Sequence, residues 1–441
     1  MARQLFGTDG VRGVAGEFLT ADLAVALARA AVTQSAVDRP QVLIVRDTRE
    51  SGEMLEAAIA AGVTAAGGDV LLGGVLPTPA APMLVRRHGL QLAAVISASH
   101  NPYRDNGIKI FGGDGFKLSD ETEHEIEAEL ERPARSPERI GRVRRLHGAL
   151  EDYLRELHVR FEGLDISRRR LLLDCANGAT YRAAPEIFRR LGAEVDVIAA
   201  EPDGRNINHE CGSTHVDALA TRAAAGDYDV AFAFDGDGDR VLAVDRGGAV
   251  VDGDELIALA ALHLREEGRL SGNGVVVTVM TNYGFHAAMK GAGIEVATTQ
   301  VGDRYVLDEL RRRGWALGGE QSGHVIDLSF GPSGDGIASA LLALEALGDR
   351  ELSTRNAMAK LPQRLVNIRV SDRATLTQAM EQQAVRDAID REGVALTGRG
   401  RVLVRASGTE PLIRVMVEAP SKSETDAVCA RLTEVVETAI T

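Results

Sequence analysis

The sequence has little cysteine and no long apolar run. Its three cysteines, Cys175, Cys211 and Cys429, are too few and too odd in number for a disulfide framework. No apolar run approaches the roughly 18 residues of a membrane-spanning helix, and the opening Met1–Phe6 lacks the apolar core of a targeting segment. We therefore expect a cytoplasmic protein with no membrane partner.

The sequence also has fewer basic than acidic residues. Lys and Arg total 50 against 64 Asp and Glu, which gives a net charge of −14. This balance argues against nucleic acid or an anionic membrane as a general partner, so an anionic substrate would have to meet a locally basic cleft. The 441 residues are enough for two to four domains with substantial cores.

The most informative segment present is residues 235–240, which read Asp-Gly-Asp-Gly-Asp-Arg. In a turned or extended segment, carboxylates at alternating positions project to one side, where they repel one another unless a cation neutralises them. The apolar residues 230–234 predict a buried strand, so the aspartates follow a carboxyl end, where open α/β sheets bind ligands. The segment therefore predicts a site for a divalent metal.

Two other interpretations of this segment are a calcium loop and a solvated acidic turn. A calcium loop of the EF-hand type needs Gly at its sixth position and Glu at its twelfth, where this chain has Arg240 and Arg246. A solvated acidic turn would leave three like charges side by side. The pattern favours magnesium, because hard oxygen ligands suit it and phosphoryl chemistry commonly uses it.

A serine motif follows another apolar stretch, residues 94–96. Residues 97–102 read Ser-Ala-Ser-His-Asn-Pro, and residues 106–109 read Asn-Gly-Ile-Lys. A serine beside a histidine is found in hydrolases, but the Gly-x-Ser-x-Gly elbow is absent. A capping turn closed by Asn-Pro is the alternative, and the segment by itself is compatible with either.

Together with two later segments, these motifs resemble the α-D-phosphohexomutase superfamily, over nearly the whole chain. The phosphoserine, metal, sugar and phosphate loops of that family match, in the family's order, residues 99–102, 235–240, 319–324 and 405–409. Four segments resemble the branch that acts on glucosamine phosphate, namely residues 6–13, 174–180, 301–306 and 405–418.

The resemblance implies an α/β fold, with three homologous α/β domains with mixed sheets and a smaller C-terminal α+β domain around a central cleft. Alternating strand and helix patterns also favour α/β layers, with Thr20 and Ser51 as predicted helix caps. Composition shifts suggest four domains, which carry the phosphoserine, metal, sugar and phosphate loops respectively: 1–149, 150–251, 252–362 and 363–441.

The resemblance also implies the phosphate carrier and the metal ligands. Ser99 would carry the phosphate, and Ser99, Asp235, Asp237 and Asp239 would hold one magnesium ion. Ser97 is the local competitor and ranks lower, because the family's carrier directly precedes the histidine.

Four cationic groups are expected near that phosphate: Arg12, His100, Lys109 and Arg240. Lys109 is the family's candidate for moving the sugar hydroxyl proton, which would require a pKa lowered by the neighbouring cations. His100 could instead order the loop through its ring. Arg12 follows a glycine-rich turn, and its alternative is an ordinary surface charge.

Two loops are expected to bind substrate. Glu320, Ser322 and His324 alternate on a Gly-flanked loop and offer the mixed polar set that sugar hydroxyls require; an ordinary strand-to-helix turn is the alternative. The phosphate that does not react would bind at a guanidinium, two hydroxyls and open backbone amides, supplied by Arg405, Ser407, Gly408 and Thr409. Arg414 would join them or pair with a strand neighbour.

The implied reaction moves phosphate between the 6- and 1-positions of glucosamine phosphate through a bisphosphate. Its primer would be glucosamine-1,6-bisphosphate or another phosphate donor, and Ser99 would be phosphorylated by a kinase or by self-phosphorylation. The same chemistry on glucose or mannose phosphates is an alternative. A non-catalytic sugar-phosphate sensor is disfavoured, since the serine and the aspartates are intact. A second copy of the chain, in a homodimer, is a candidate partner.

Overall fold

A computed structural model describes residues 5–7, 9–133, 137–406 and 411–440, with the backbone alone for Arg373. Contacts divide the chain into two compact units. One comprises Met1–Val279 and Ala297–Arg355, and the other comprises Met280–Val296 and Asn356–Thr441. No described helix has both the length and the apolar character that crossing a bilayer requires.

The first sheet has six strands in the order β1-β5-β4-β2-β3-β6. Its strands and the accompanying helices are β1 Val11–Val14, α1 Ala21–Thr33, β2 Gln41–Arg46, α2 Gly52–Ala65, β3 Asp69–Val75, α3 Ala80–His88, β4 Leu92–Ile96, β5 Asp105–Gly112, α4 Asp120–Leu130 and β6 Val143–Arg145. The sheet is mixed, because β2 runs parallel to β3 and β4 while β5 is antiparallel to β4 and β1. Apolar side chains of α1 and α2 join those of the central strands in one buried core.

The two predicted helix caps have different outcomes. Thr20 precedes α1, and its hydroxyl accepts a hydrogen bond from the Leu23 amide at 3.2 Å, which confirms that prediction. Ser51 precedes α2 but makes no capping bond with its side chain. Its hydroxyl instead accepts from the side-chain amide of Asn106 at 2.9 Å, so a tertiary contact has replaced the local cap.

The second sheet has five strands in the order β11-β10-β9-β7-β8. The elements of this region are α5 Ala149–Arg160, β7 Arg170–Asp174, α6 Thr180–Arg190, β8 Glu194–Ile198, α7 Asp217–Ala225, β9 Val230–Phe234, β10 Val241–Asp245 and β11 Val250–Val251. All five residues of β9 are buried, as its apolar sequence predicts. Since β9 pairs with β10 in an antiparallel hairpin, residues 235–240 form the turn between them.

The third sheet has four strands in the order β13-β12-β14-β15. The elements of this region are α8 Gly253–Glu266, β12 Gly274–Thr278, α9 Tyr283–Gly291, β13 Glu295–Thr299, α10 Asp303–Arg313, β14 Leu317–Gly319, β15 Val325–Asp327 and α11 Gly336–Leu347, with short 3₁₀ turns at Ser271–Asn273 and Leu352–Thr354. Strand β14 is parallel to β12 and antiparallel to β15. Residues 320–324 are thus the turn of a second hairpin.

The C-terminal region contains a three-stranded antiparallel sheet in the order β16-β18-β17. Its elements are β16 Gln363–Arg369, α12 Arg373–Glu381, α13 Gln383–Ala395, β17 Arg401–Ala406, β18 Leu412–Glu418 and α14 Lys422–Ile440. Buried residues of β18, including Ile413 and Val415, pack with Val428 and Leu432 of α14. This matches the smaller α+β domain expected from the sequence.

Candidate active site

Ser99 lies in the loop after β4 and is only 1% exposed. Its backbone has φ of +52°, a left-handed conformation that non-glycine residues seldom adopt. Its hydroxyl donates to Asp235 Oδ2 at 2.5 Å, and His100 Nδ1 lies 3.3 Å away. The backbone turn and these contacts direct the serine oxygen at the aspartate loop.

Ser97, the competing serine, is already engaged. Its hydroxyl donates to Asp47 Oδ2 at 2.5 Å and accepts from the Ser99 amide at 3.0 Å. Of the two hydroxyls, only that of Ser99 contacts the aspartate loop.

Asp235, Asp237 and Asp239 converge in the β9–β10 turn, where each can offer one oxygen within 4.8 Å of the others. All three are buried, and burial, followed by the charges of Asp239 and Asp237, raises the pKa of Asp235 well above its ordinary value. Within the described part of the chain, Asp237 Oδ1 and Asp239 Oδ1 are buried without a hydrogen-bond partner. Clustered oxygens of this kind fit a hard divalent cation.

Gly236 allows this turn to approach the serine loop. A Cβ atom built on Gly236 would lie 2.6 Å from the Ser99 carbonyl oxygen and 2.7 Å from Asn208 Nδ2. Any larger residue would therefore separate the two loops.

Lys109 extends from β5 into the carboxylates. Its Nζ lies 2.9 Å from Asp237 Oδ2, 3.1 Å from Asp9 Oδ2 and 3.5 Å from Asp239 Oδ2. Burial alone would lower the pKa of Lys109, but these carboxylates raise it above its ordinary value. The lowered pKa expected from the sequence is therefore wrong in direction, because the three carboxylates outweigh the charge of Arg12.

Of the other three groups predicted to be cationic, Arg12 and Arg240 lie beside carboxylates, whereas His100 does not carry a charge. Arg12 pairs with Asp9, and Arg240 Nε lies 3.8 Å from Asp239 Oδ1. Burial lowers the pKa of His100 to about 4, with help from Arg240 and Arg12. His100 is thus neutral at pH 7 and can accept or donate at its ring without adding charge.

The sugar loop contacts the metal-loop hairpin directly. The Val241 amide donates to the Gly323 carbonyl at 3.1 Å, and Glu320 Oε1 accepts from the Gly302 amide at 3.0 Å. Ser322 is exposed, whereas His324 is buried. The predicted sugar residues and the aspartates therefore belong to one contiguous region.

Six side chains of alternating charge form a closed ring through this region, in the order Asp9, Lys109, Asp239, His324, Asp303 and Lys117. His324 lies 3.6 Å from Asp239 and 3.9 Å from Asp303. Burial would lower the pKa of His324, but Asp239 and Asp303 raise it to about 9. Sequence reasoning missed Asp9, Lys117 and Asp303 as members of the site, although Asp9 and Asp303 stand inside segments that carried the family resemblance.

The predicted phosphate-loop residues lie in the second compact unit, which contains the C-terminal sheet. Arg405 of β17 is directly opposite Arg414 of β18, and within the described residues neither Nε has a hydrogen-bond partner. Burial and the charge of Arg414 lower the pKa of Arg405. The cross-strand neighbours of Arg414 are Arg405 and Asn367, neither of which is acidic. The two arginines thus provide the positive charge that an anion site needs. The other predicted members of this loop, Ser407, Gly408 and Thr409, lie outside the described residues.

Four family models match the chain in succession, and together they span most of it. They describe phosphoglucomutase/phosphomannomutase alpha/beta/alpha domains I, II and III and the C-terminal domain, and they match residues 3–136, 151–248, 252–365 and 365–435.

Solved structures share the fold. A phosphoglucomutase/phosphomannomutase family protein from Burkholderia thailandensis has a TM-score of 0.83 at 24% identity, covering 98% of this chain and 97% of its own. The N-acetylphosphoglucosamine mutase of Aspergillus fumigatus, solved with GlcNAc-6P and magnesium, has a TM-score of 0.72 at 19% identity, covering 99% and 96%.

Curated relatives are similar over their full length. The phosphoglucosamine mutase of Moorella thermoacetica is 49% identical over 443 residues, covering 98% of this chain and 99% of the relative. That of Pseudomonas putida strain W619 is 47% identical over 437 residues, covering 96% of each. The chain therefore belongs to the phosphoglucosamine mutases, within the phosphoglucomutase/phosphomannomutase family.

Proposed function

We propose that the protein interconverts glucosamine-6-phosphate and glucosamine-1-phosphate through a phosphoserine at Ser99 and a 1,6-bisphosphate. The observation that carries this proposal is the 2.5 Å contact between the Ser99 hydroxyl and a buried aspartate triad. A nucleophile beside a cation site is what phosphoryl transfer needs, since most of its catalysis is positioning and charge neutralisation.

Asp235, Asp237 and Asp239, with the phosphorylated Ser99, are proposed to hold one magnesium ion. Asp237 and Asp239 each have an oxygen without a hydrogen-bond partner among the described residues, which is consistent with a ligand role. When bound, magnesium would neutralise charge on the oxygens of the transferred phosphoryl group.

The chain's own cations have separate parts in the proposed reaction. The bond from the phosphorus to Ser99 Oγ breaks as a bond from that phosphorus to the free sugar hydroxyl oxygen forms, and the proton of that hydroxyl passes to Ser99 Oγ. Lys109 is 1% exposed and is kept charged by the carboxylates around it, so it contributes positive charge to the site rather than accepting the proton. Arg12 and Arg240 bind the phosphoryl oxygens, and neutral His100 orders the serine loop. After the bisphosphate reorients, its other phosphoryl group returns to Ser99, which regenerates the enzyme.

Glu320, Ser322 and His324 are proposed to bind the sugar hydroxyls. The phosphate that is not transferred is assigned to Arg405 and Arg414 and to the adjoining Ser407, Gly408 and Thr409. A cross-strand pair of arginines supports this assignment, because guanidinium groups bind phosphate in a bidentate manner.

Replacing Arg405 by alanine should raise KM for glucosamine-6-phosphate by about tenfold or more, because a charge-assisted phosphate contact is lost. Steady-state kinetics would measure this, with kcat much less affected. Arg399→Ala is the matched control, since Arg399 makes an exposed ion pair with Glu424 in the same unit and should leave KM unchanged. Equal KM values for Arg405→Ala and the wild type would contradict the assignment.

The substrate itself is tested by comparing glucosamine-6-phosphate, glucose-6-phosphate and mannose-6-phosphate, each with a catalytic amount of its 1,6-bisphosphate. We expect kcat/KM to be highest for glucosamine-6-phosphate, with side activity on the others because the proposed phosphate and hydroxyl contacts are shared. A higher kcat/KM for mannose-6-phosphate would change the assigned substrate but not the proposed mechanism. No turnover of any of the three would refute the function.

The cellular setting is also proposed. Cys175, Cys211 and Cys429 are buried free thiols, which supports a reducing cytoplasm. The bisphosphate primer can itself supply the first phosphate to Ser99, and a kinase is the alternative source. A homodimer is a further proposal, to be checked by light scattering.

A further inference from the structure

Arg49 lies in the loop after β2 with its side chain completely buried. Its guanidinium donates to four backbone carbonyl oxygens of the serine loop, those of Ser99 at 2.9 Å, Asn101 at 2.8 Å, Asp105 at 2.9 Å and Pro102. One planar group therefore holds both ends and the middle of the segment that presents the nucleophile.

A second chain of contacts leads from Arg49 to the Ser99 amide. Arg49 Nε donates to Asp47 Oδ2 at 2.8 Å, and the same carboxylate oxygen accepts from Ser97 Oγ at 2.5 Å. Ser97 Oγ in turn accepts from the Ser99 amide at 3.0 Å. The carbonyl and the amide of Ser99 are thus both fixed by the Arg49–Asp47 pair, one directly and one through Ser97.

These contacts explain how Ser99 keeps its uncommon backbone conformation. A residue with a side chain stays at a φ of +52° only when its surroundings hold it there. Asn208 adds a second donor to the Ser99 carbonyl at 2.9 Å. The bonds that Ser99 makes with Arg49, Asn208 and Ser97 are all to its backbone, so its hydroxyl remains available to Asp235.

We propose that Arg49 is a positioning residue for phosphoryl transfer. Through its bonds to the four carbonyls and through the Asp47–Ser97 contact, it holds Ser99 Oγ in line with the phosphoryl group. The inference rests on the proposed function and adds a residue outside its four loops. Lysine cannot substitute, because an ammonium group lacks the planar fork that reaches several acceptors at once. A small displacement of the serine oxygen is sufficient to slow the reaction.

The test uses the full chain carrying Arg49→Lys or Ser97→Ala, freed of phosphate and incubated with glucose-1,6-bisphosphate. In this step a bond forms between Ser99 Oγ and the phosphorus, the bond from that phosphorus to the sugar oxygen breaks, and the serine proton passes to the sugar oxygen. Intact mass follows the phosphate on the protein, and steady-state kinetics give kcat and KM. Thermal unfolding reports stability separately.

Arg49→Lys should lower both the rate of Ser99 phosphorylation and kcat by about 100-fold, while KM changes by less than about threefold. Ser97→Ala should lower the same two rates by about tenfold, because one of the fixing bonds is lost. Arg355→Lys is the matched control. Arg355 bridges Asp245 and Glu255 in the same unit, so this variant should lose thermal stability with kcat unchanged.

Wild-type rates per folded molecule in Arg49→Lys would overturn the inference, whatever its melting temperature, and so would a rise in KM alone. Should Arg49→Lys not fold, unchanged rates in Ser97→Ala would overturn it. A wild-type protein that neither accepts phosphate nor turns over substrate would instead refute the proposed function on which the inference rests.

Discussion

Ser99→Ala should fold normally and lose turnover by at least about a thousandfold, because no oxygen remains to carry the phosphoryl group. The substitution removes one hydroxyl, and Asp235 keeps its contact with the Arg240 amide at 3.2 Å. Thermal unfolding checks the fold, and conversion of glucosamine-6-phosphate checks the activity.

Ser339→Ala is the control for this substitution. Ser339 is also buried, but its hydroxyl donates to the carbonyl of Asp335, the residue that precedes α11. That variant should retain wild-type turnover. Isomerisation by Ser99→Ala at the rate of the control would contradict a covalent phosphoserine pathway.

We expect the second large loss of activity for Asp237→Asn. The substitution removes one charge from the triad and weakens the ion pair with Lys109, so magnesium affinity should fall and kcat/KM should drop by about 100-fold to 1000-fold. Titration calorimetry with magnesium and steady-state kinetics at fixed magnesium measure the two effects.

Asp245→Asn separates metal binding from stability. Asp245 is a buried carboxylate of the same hairpin, and it pairs with Arg355 rather than with the triad. This control should unfold at a lower temperature while its magnesium affinity stays at the wild-type value. Wild-type magnesium affinity in Asp237→Asn would remove that residue from the metal site.

The local features of the site could be predicted from the sequence, because they depend on spacing. Alternation brings Asp235, Asp237 and Asp239 together in one turn, and an apolar strand before them places that turn at a sheet edge. The segment at Ser99 was likewise located after a buried strand. The domain bounds proposed from composition stay predictions.

The long-range contacts could not be predicted, because their partners are far apart in the sequence. Lys117 meets Asp303 across 186 positions, and Thr78 donates to Asp237 across 159. Nothing in the spacing around Lys117 indicates such a partner. The raised pKa of Lys109 could not be predicted for the same reason, since Asp9 and the triad approach the amine from separate segments.

The most direct test of the account is to follow phosphate on the protein during catalysis. Protein freed of phosphate is mixed with glucosamine-1,6-bisphosphate, and intact mass with peptide mapping follows the product over time. We predict one phosphate per chain, located at Ser99. When that phosphate carries a heavy-oxygen label, addition of unlabelled glucosamine-6-phosphate should replace it with unlabelled phosphate at least as fast as kcat. Turnover with no phosphate on the chain, or with phosphate on another residue, would contradict the account.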